Sequence, residues 1–341
     1  MPSPGGPVVP SAAVAVADHG QIGEVQRAVA AVCRSVGLDE AEAGRARIVA
    51  TEAAANVAKH GRGGEVVLNP LRLGEALGIE VLALDRGPGI PDMAAPAGGA
   101  TPAGTGRGGF AAMRRQSSHL EVYTLPGQGT AVLGRIWRVV PPGAAVDVAA
   151  LCVAKPGETV CGDLWSFEAR PGGGRIVVAD GLGHGPLARD AARAVLEAVG
   201  PCPPGAARVL EEAHRAARGT RGAAVAVVEV DLPAGEICFA GLGNIAAALV
   251  GRDRVQNMVS MNGTAGQGAL KPREFKYRFA PGALLVVSSD GLASHWSLDS
   301  YPGLARCHPG LVAGVLYRDH SQRRDDVTVV AARLGARSLS P

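Results

Sequence analysis

Aromatic residues are scarce: five Phe, four Tyr and three Trp in 341 residues. So few flat side chains leave little for the base-stacking platforms of single-strand nucleic-acid binders. An excess of one charge is missing as well. The 34 Lys and Arg against 31 Asp and Glu give a net charge of +3 without a basic block, so neither nucleic acid nor a membrane surface is an expected partner. No apolar run approaches the roughly 18 residues of a membrane span. Met1 to Pro10 lacks the basic-then-apolar pattern of a secretory signal and is expected to be flexible. The six cysteines form neither a C-x-x-C pair nor a zinc spacing. They are expected to be small buried hydrophobes in a reducing cytoplasm, with no cysteinyl-phosphate chemistry.

The length is enough for two domains that each bury a core. Ile22, Val25, Val29, Val32 and Val36 recur at helical spacing, and Gly37 supplies a stop. An alanine-rich segment, Ala41 to Lys59, predicts a second helix, followed by strand-like runs at 65–68, 79–84, 120–124 and 130–137. Between the second and third of these runs lies Ala94 to Gly109, small-sided and irregular, expected to be a lid or disordered. Val139 to Ala145 reads as a Pro-Gly connector. Beyond it, strands are predicted at 175–179, 223–230, 236–240, 283–288 and 327–332, and helices at 186–199 and 206–218. Both halves read as α+β sandwiches, helices packed on mainly antiparallel sheets.

Two sets of residues carry chemistry. In the first half, Glu52 and Asn56 lie four apart on one helical face, placing a carboxylate beside an amide oxygen. Alone, that spacing is more often a solvated face. Asp85-Arg-Gly-Pro-Gly89 follows a strand; Gly87 and Gly89 permit close backbone approach, and the Asp85 carboxylate can accept from an exocyclic amine. Gly104-Thr-Gly-Arg-Gly-Gly109 offers free amides to phosphate oxygens, and Pro126-Gly-Gln-Gly-Thr130 opens the last strand. In this order the four elements resemble the GHKL ATPase family, in its anti-sigma-factor serine kinase branch, across most of residues 15–138. The resemblance implies a Bergerat-type α/β sandwich binding ATP and Mg²⁺. Glu52 would be the general base for a serine or threonine hydroxyl, Asn56 the Mg²⁺ ligand and Asp85 the adenine acceptor. Gly87, Gly89, Gly104, Gly106 and Gly108 would shape pocket and lid, with Thr130 at the adenine end.

In the second half, four acidic clusters lie beside glycines or strand-like runs: Gly162-Asp163, Asp180-Gly181, Ser289-Asp290-Gly291 and Asp325-Asp326. A lone Asp-Gly is usually a turn. Four in order suit hard divalent cations whose bridging water becomes nucleophilic near neutral pH. With Val178-Ala-Asp-Gly-Leu-Gly-His-Gly185, Arg221-Gly-Ala223, Gly241-Leu-Gly-Asn244 and Arg324-Asp-Asp-Val-Thr328, these resemble the PP2C-type phosphatases of the SpoIIE-like bacterial group. That implies an α/β-β/α sandwich over 148–335 with two Mn²⁺ or Mg²⁺ ions. Asp163, bridging Asp180, the Gly181 carbonyl, Asp290 and Asp325 would be the ligands, and Asp326 would support the turn. Many relatives carry an aspartate where this chain has Ser166. His184 is either an acid for the leaving oxygen or an exposed bystander, and Asn244 either a cap or a turn residue.

The expected organisation is a flexible arm (1–14), a kinase domain (15–138), a linker (139–147), a phosphatase domain (148–335) and a tail (336–341). The expected function is a bifunctional partner-switching regulator. It would phosphorylate Ser or Thr on STAS-domain anti-sigma antagonists or stressosome scaffold proteins, and hydrolyse such marks. The alternative is a nucleotide-dependent module that sequesters a sigma factor or STAS protein without transferring phosphate.

Overall fold

The computed structural model describes residues 10–90, 108–252 and 254–335. By packing, the chain forms two compact units: Ser11–Pro142 together with Trp296–Asp319, and Gly143–His295 together with the stretch from His320.

The first unit runs β1 (Ala12–Val16), α1 (Ile22–Val36), α2 (Glu40–His60), β2 (Gly64–Leu73), β3 (Ala76–Asp85), α3 (Gly109–Gln116), β4 (His119–Leu125) and β5 (Gly129–Trp137). Its sheet is antiparallel with order β1-β2-β3-β5-β4. The valine stripe of α1 is buried at 25, 29, 32 and 36, and Gly37 ends the helix at φ 84°, in the left-handed region that glycine enters without a steric penalty. Asp39 and Glu42 close a reciprocal capping box at the start of α2. The buried side of α2 is small, Ala46, Val49, Ala50, Ala53, Ala54 and Val57, so the helix lies close on the sheet. The expected flexible arm is corrected at its end. Ala12, Ala13 and Val14 are strand, paired with Leu68, Val67 and Val66, because Val14 and Val16 enter the core.

In the second unit β6 (Val146–Val153), β7 (Asp163–Arg170) and β8 (Gly173–Gly181) precede α4 (Pro186–Val199) and α5 (Ala206–Ala216). Then come β9 (Ala223–Asp231), β10 (Glu236–Leu242), β11 (Ala246–Val250), β12 (Val255–Asn257), β13 (Ser260–Met261), β14 (Phe275–Arg278) and β15 (Leu284–Ser288). Helix α6 (Pro309–His320) and β16 (Val327–Leu334) complete the chain. One sheet has order β13-β10-β9-β8-β7, with β14 also on β10; the other has order β12-β11-β15-β16-β6. Ile176, Val178, Ala226 and Val228 face Leu285, Val287, Val330 and Ala332 in the core between the sheets. Their neighbours Val177, Ala179, Val225 and Val227 pack with α4 and α5. That is the two-residue alternation of strands buried on both faces.

Residues 296–319 depart from the linear order of the expected domains, since they lie inside 148–335 yet pack with the first unit. Two glycines of α6 explain the fit. A Cβ at Gly310 would lie 2.5 Å from Leu133 Cδ1, and one at Gly314 2.5 Å from Leu82 Cδ2. Spaced four apart, they share a helix face and let α6 lie flat on the sheet. Leu82, Leu84 and Leu133 alternate with Val81, Ala83 and Val132, which face α1 and α2. Among the described residues, no helix is long and apolar enough to cross a membrane.

Candidate functional site

Helix α2 presents Glu52 and Asn56 beside the start of α3. A Cβ at Gly109 would lie 2.5 Å from Glu52 Oε2 and 3.7 Å from Asn56 Nδ2, so a side chain there would displace the Glu52 carboxylate. Among the described residues, Asn56 Nδ2 is buried without a hydrogen-bond partner. Such an orphan donor costs about 1–3 kcal/mol unless a ligand satisfies it, which fits a polar group bound at this spot.

Asp85 ends β3. Its Oδ1 accepts from Gly87 N at 2.8 Å and Thr130 N at 3.1 Å; Oδ2 takes neither bond. Burial raises its pKa, and those two amides oppose the rise. The backbone around it is glycine-lined. At Gly87 a Cβ would meet His60 O at 2.6 Å, and at Gly89 (φ 76°) Leu125 O at 2.4 Å. Thr124, unremarked in the sequence, ties the rim together: its Oγ1 accepts from Ile90 N, donates to Gly129 O and sits 3.2 Å from Thr130 Oγ1. Gly104 and Gly106 lie outside the described residues. Gly108, at φ 137°, is the residue before α3.

The second cluster forms where β7 and β8 begin and end. Asp163 and Asp180 stand directly opposite each other in antiparallel register. Asp163 is 1% exposed, and its Oδ2 has no hydrogen-bond partner among the described residues. Burial raises both pKa values, that of Asp180 further through the charges of Asp163, Asp290 and Asp325. Like charges facing across strands destabilise a sheet, and buried ones cost more. A hard divalent cation would neutralise them through oxygen donors alone, and the orphaned Oδ2 fits that role. Asp290 lies two residues beyond β15 with its surface exposed; partial desolvation of its carboxylate and the charge of Asp325 raise its pKa, and the Asn244 side chain is hydrogen-bonded to it. The contact with Asp290 assigns Asn244 a place in the cluster. Asp325 Oδ1 accepts from Asp326 N at 2.9 Å. Asp163 and Asp180 therefore face each other directly, and the charges of Asp290 and Asp325 reach Asp180. Among the described residues, no three His, Cys, Asp or Glu side chains converge closely enough to hold one ion.

The backbone under Asp163 is clamped from several sides. Asp326, 3% exposed, accepts from Lys155 N at 2.8 Å and Gly162 N at 2.7 Å. Arg189, in the first turn of α4, donates to the carbonyls of Cys161 and Asp163. At Gly181 a Cβ would meet Ala188 O at 1.9 Å, so α4 rests directly on this end of β8. His184 Nδ1 lies 2.7 Å from Glu158 Oε1 at the exposed edge. Ser166 sits within β7 opposite Val177 and adds no carboxylate.

All six cysteines are free thiols. Cys202 and Arg208 have a Cys-x5-Arg spacing. The Cys202 thiol donates to Ala198 O at 3.5 Å and its pKa is raised by burial, the reverse of a thiolate nucleophile. Cys152 and Cys161 Sγ lie 3.5 Å apart, and Cys152 Sγ also contacts Asp163 O.

Residues 15–134 match the model of the histidine kinase-like ATPase domain. No curated protein matches the chain. Among solved structures, one described under the bacterial stressosome, a modular system that has been adapted to control secondary messenger signaling, is 28% identical. It covers 55% of this chain and 99% of its own, at a TM-score of 0.50. A crystal structure of RsbX in complex with magnesium is 20% identical, covers 57% of this chain and 98% of its own, and scores 0.51. The PP2C phosphatase domain of the cell fate determinant SpoIIE from Bacillus subtilis, with a fragment of its regulatory domain, is 16% identical. It covers 94% of this chain and 97% of its own, at 0.48. The chain thus joins an N-terminal GHKL-like ATPase domain to a PP2C-like sandwich.

Proposed function

We propose that this chain is a bifunctional partner-switching regulator, acting in the cytoplasm on STAS-domain anti-sigma antagonists or stressosome scaffold proteins. One site hydrolyses phosphoserine or phosphothreonine; the other transfers phosphate from ATP to the same class of hydroxyl. The observation that carries the reading is the Asp163–Asp180 pair, facing each other across β7 and β8 with Asp163 buried and its Oδ2 orphaned, an oxygen-donor arrangement that bound cations would satisfy. Bound Mn²⁺ or Mg²⁺ would supply an acidified water for attack on phosphorus. In this reading Asp163, Asp180, the Gly181 carbonyl, Asp290 and Asp325 hold the ions, with Asp290 and Asp325 drawn in on binding. Asn244 orients Asp290, and Asp326 fixes the loop before Asp163.

At the other site Asp85 receives the adenine amine, with Thr130 and Thr124 fixing its carboxylate and rim. Asn56 ligates Mg²⁺ through its amide oxygen, and Glu52 takes the hydroxyl proton. Likeness to a stressosome structure supports the choice of substrate class, and free thiols suit a reducing compartment.

A second reading makes the first site a nucleotide-dependent binder of a sigma factor or STAS protein. This reading needs only the nucleotide pocket around Asp85 and no proton acceptor at Glu52. A phosphate-affinity gel with ATP, Mg²⁺, Mn²⁺ and a STAS protein from the same genome separates the two. The bifunctional reading expects Asp180→Asn to accumulate phosphoprotein and Glu52→Ala to make none. If Glu52→Ala behaves as wild type in phosphate transfer, the kinase assignment is lost. If chemically phosphorylated STAS protein survives wild type with Mn²⁺, the phosphatase assignment is lost.

A further inference from the structure

Asp85 is held by two different parts of the chain. The Gly87 and Thr130 amides set its carboxylate through Oδ1. Arg318 sets its backbone carbonyl: Nη1 donates to Asp85 O at 2.9 Å from 233 residues away in sequence. Arg318 is 4% exposed, near the end of α6. Gly129 closes on the same carbonyl, since a Cβ there would lie 2.0 Å from it. With side chain and carbonyl both fixed, residue 85 has little freedom to turn.

A buried guanidinium needs partners of its own, and its surroundings supply them. Nε and Nη2 clasp the two oxygens of Asp319 at 2.9 and 2.7 Å, the bidentate geometry that fixes a guanidinium plane. Asp319 also accepts from Tyr301 OH at 3.1 Å and lies 3.5 Å from Arg86 Nε. Burial would raise the Asp319 pKa, but the Arg318 hydrogen bonds and charge lead a net lowering, so the clasp holds a carboxylate anion. The segment that carries Arg318 is itself seated on the sheet. Pro302 O accepts from Tyr123 OH at 3.3 Å, and His308 N donates to the Glu121 carboxylate at 3.2 Å. Gly310 and Gly314 bring α6 against Leu133 and Leu82. All these residues belong to the first unit. Asp319 thus locks the guanidinium, and Nη1 is left aimed at the carbonyl of Asp85.

We propose, resting on the reading of Asp85 as the adenine acceptor, that Arg318 is the positioning residue that makes this site selective for adenine. It holds the Asp85 carbonyl, and with it the direction in which the carboxylate meets an exocyclic amine. A hydrogen bond weakens steeply as its angle closes, and a binding group must stay within about 0.5 Å of its productive position. Charge acts in the same sense as geometry. Burial raises the Asp85 pKa, while the Gly87 and Thr130 amides and then the Arg318 charge oppose the rise, favouring the ionised acceptor. The consequence is a choice between bases. Hypoxanthine has a carbonyl where adenine has its amine, so it sets an acceptor against the carboxylate. A fixed acceptor rejects that base; one free to turn away does not.

The test titrates the full chain with ADP and with inosine diphosphate, both with Mg²⁺, and compares the two dissociation constants. Wild type is expected to bind ADP at least about tenfold more tightly, the worth of one hydrogen bond to a charged acceptor. Arg318→Met keeps the bulk but loses the donors. It is expected to weaken ADP binding and bring the ratio close to one, with little change for inosine diphosphate. Arg318→Lys keeps the charge without the fork and is expected to restore part of the ratio. Asp319→Asn loosens the clasp with the guanidinium still present; it is also expected to lower the ratio, and it decides the matter if Arg318→Met does not fold. A merely structural defect would weaken both nucleotides by one factor and leave the ratio intact. A wild-type ratio in folded Arg318→Met, or in Asp319→Asn where the other variant is unfolded, overturns the proposal. Wild type that binds neither nucleotide, or both alike, instead overturns the reading of Asp85, and the proposal falls with it.

Discussion

Asp326 accepts the Gly162 amide at 2.7 Å with one carboxylate oxygen while its other oxygen holds Lys155 N at 2.8 Å. One side chain thus ties the stretch before Asp163 to the edge of β16. Removing it leaves amides without their partner, and a hydrogen bond to a charged acceptor is worth about 1.5–3 kcal/mol. Asp326→Ala is expected to cost about 3 kcal/mol in stability and to weaken Mn²⁺ binding about 10- to 100-fold, the range for residues that orient metal ligands. Asp326→Asn fares little better, because its amide group turns a donor toward one of the two N–H groups. Urea melts and Mn²⁺ titration of p-nitrophenyl phosphate hydrolysis measure both effects; unchanged metal affinity in the alanine variant would contradict the assignment.

The pH dependence of the metal-free protein follows from Asp163 and Asp180. Both have folded-state pKa values raised above the ordinary carboxylate value, foremost by burial. Below about pH 4, the unfolded carboxylate value, folded and unfolded chains both hold these protons. Above it the unfolded chain releases them while the folded chain keeps them, so stability falls as pH rises until the folded groups ionise as well. Mn²⁺ reverses the sign: it displaces the protons, binds more tightly as pH rises and stabilises the fold. Thermal melts between pH 5 and pH 8, with and without Mn²⁺, are expected to diverge as pH increases. Parallel curves would mean that the pair does not bind metal.

Much of the arrangement was legible in the sequence, and the exceptions share a cause. The valine stripe of α1, the apolar runs of β3, β5, β9 and β16 and the helices α4 and α5 follow from local periodicity. Asp163 and Asp180 carry recognisable glycine contexts, and their pairing follows once β7 and β8 form a hairpin. The roles of Arg318, Thr124 and Asn244 depend on partners 233, 34 and 46 residues away in sequence, and nothing local marks them. Helix α6 was invisible because it is buried all round and contains two glycines, so it shows neither an amphipathic period nor good helix propensity. The pairing of β1 was hidden by its neighbourhood of proline and glycine.

Glu52 offers a direct separation of binding from chemistry. Its carboxylate lies by Gly109 at the start of α3, away from the Asp85 end where adenine is expected. Glu52→Gln retains size and polarity but removes the base. Phosphate transfer is expected to fall by about 10²- to 10⁴-fold, the usual worth of general base catalysis, while ADP affinity stays within about threefold of wild type. Single-turnover transfer from labelled ATP and ADP titration supply the two numbers. A variant that loses both equally would put Glu52 in binding rather than catalysis.

Gly129 and Gly127 form a matched pair for testing the adenine end. Both have positive φ, 86° and 75°, so alanine at either is strained, by roughly 1–2 kcal/mol. At Gly127 a Cβ would meet nothing within 4 Å, and strain is the whole cost. At Gly129 it would lie 2.0 Å from Asp85 O and 2.8 Å from Arg86 Cα, atoms of backbone that no rotamer change can withdraw. Relief requires β5 to move away from the end of β3, which breaks the Thr130 N to Asp85 Oδ1 bond and disturbs the carbonyl held by Arg318. Gly129→Ala is therefore expected to cost at least about 2 kcal/mol more than Gly127→Ala, on the scale of other strained or overpacked substitutions. It is also expected to weaken ADP binding at least tenfold where Gly127→Ala leaves it unchanged. Equal stability and equal ADP affinity in the two variants would remove Asp85 from the nucleotide site, because no close approach would then depend on that glycine.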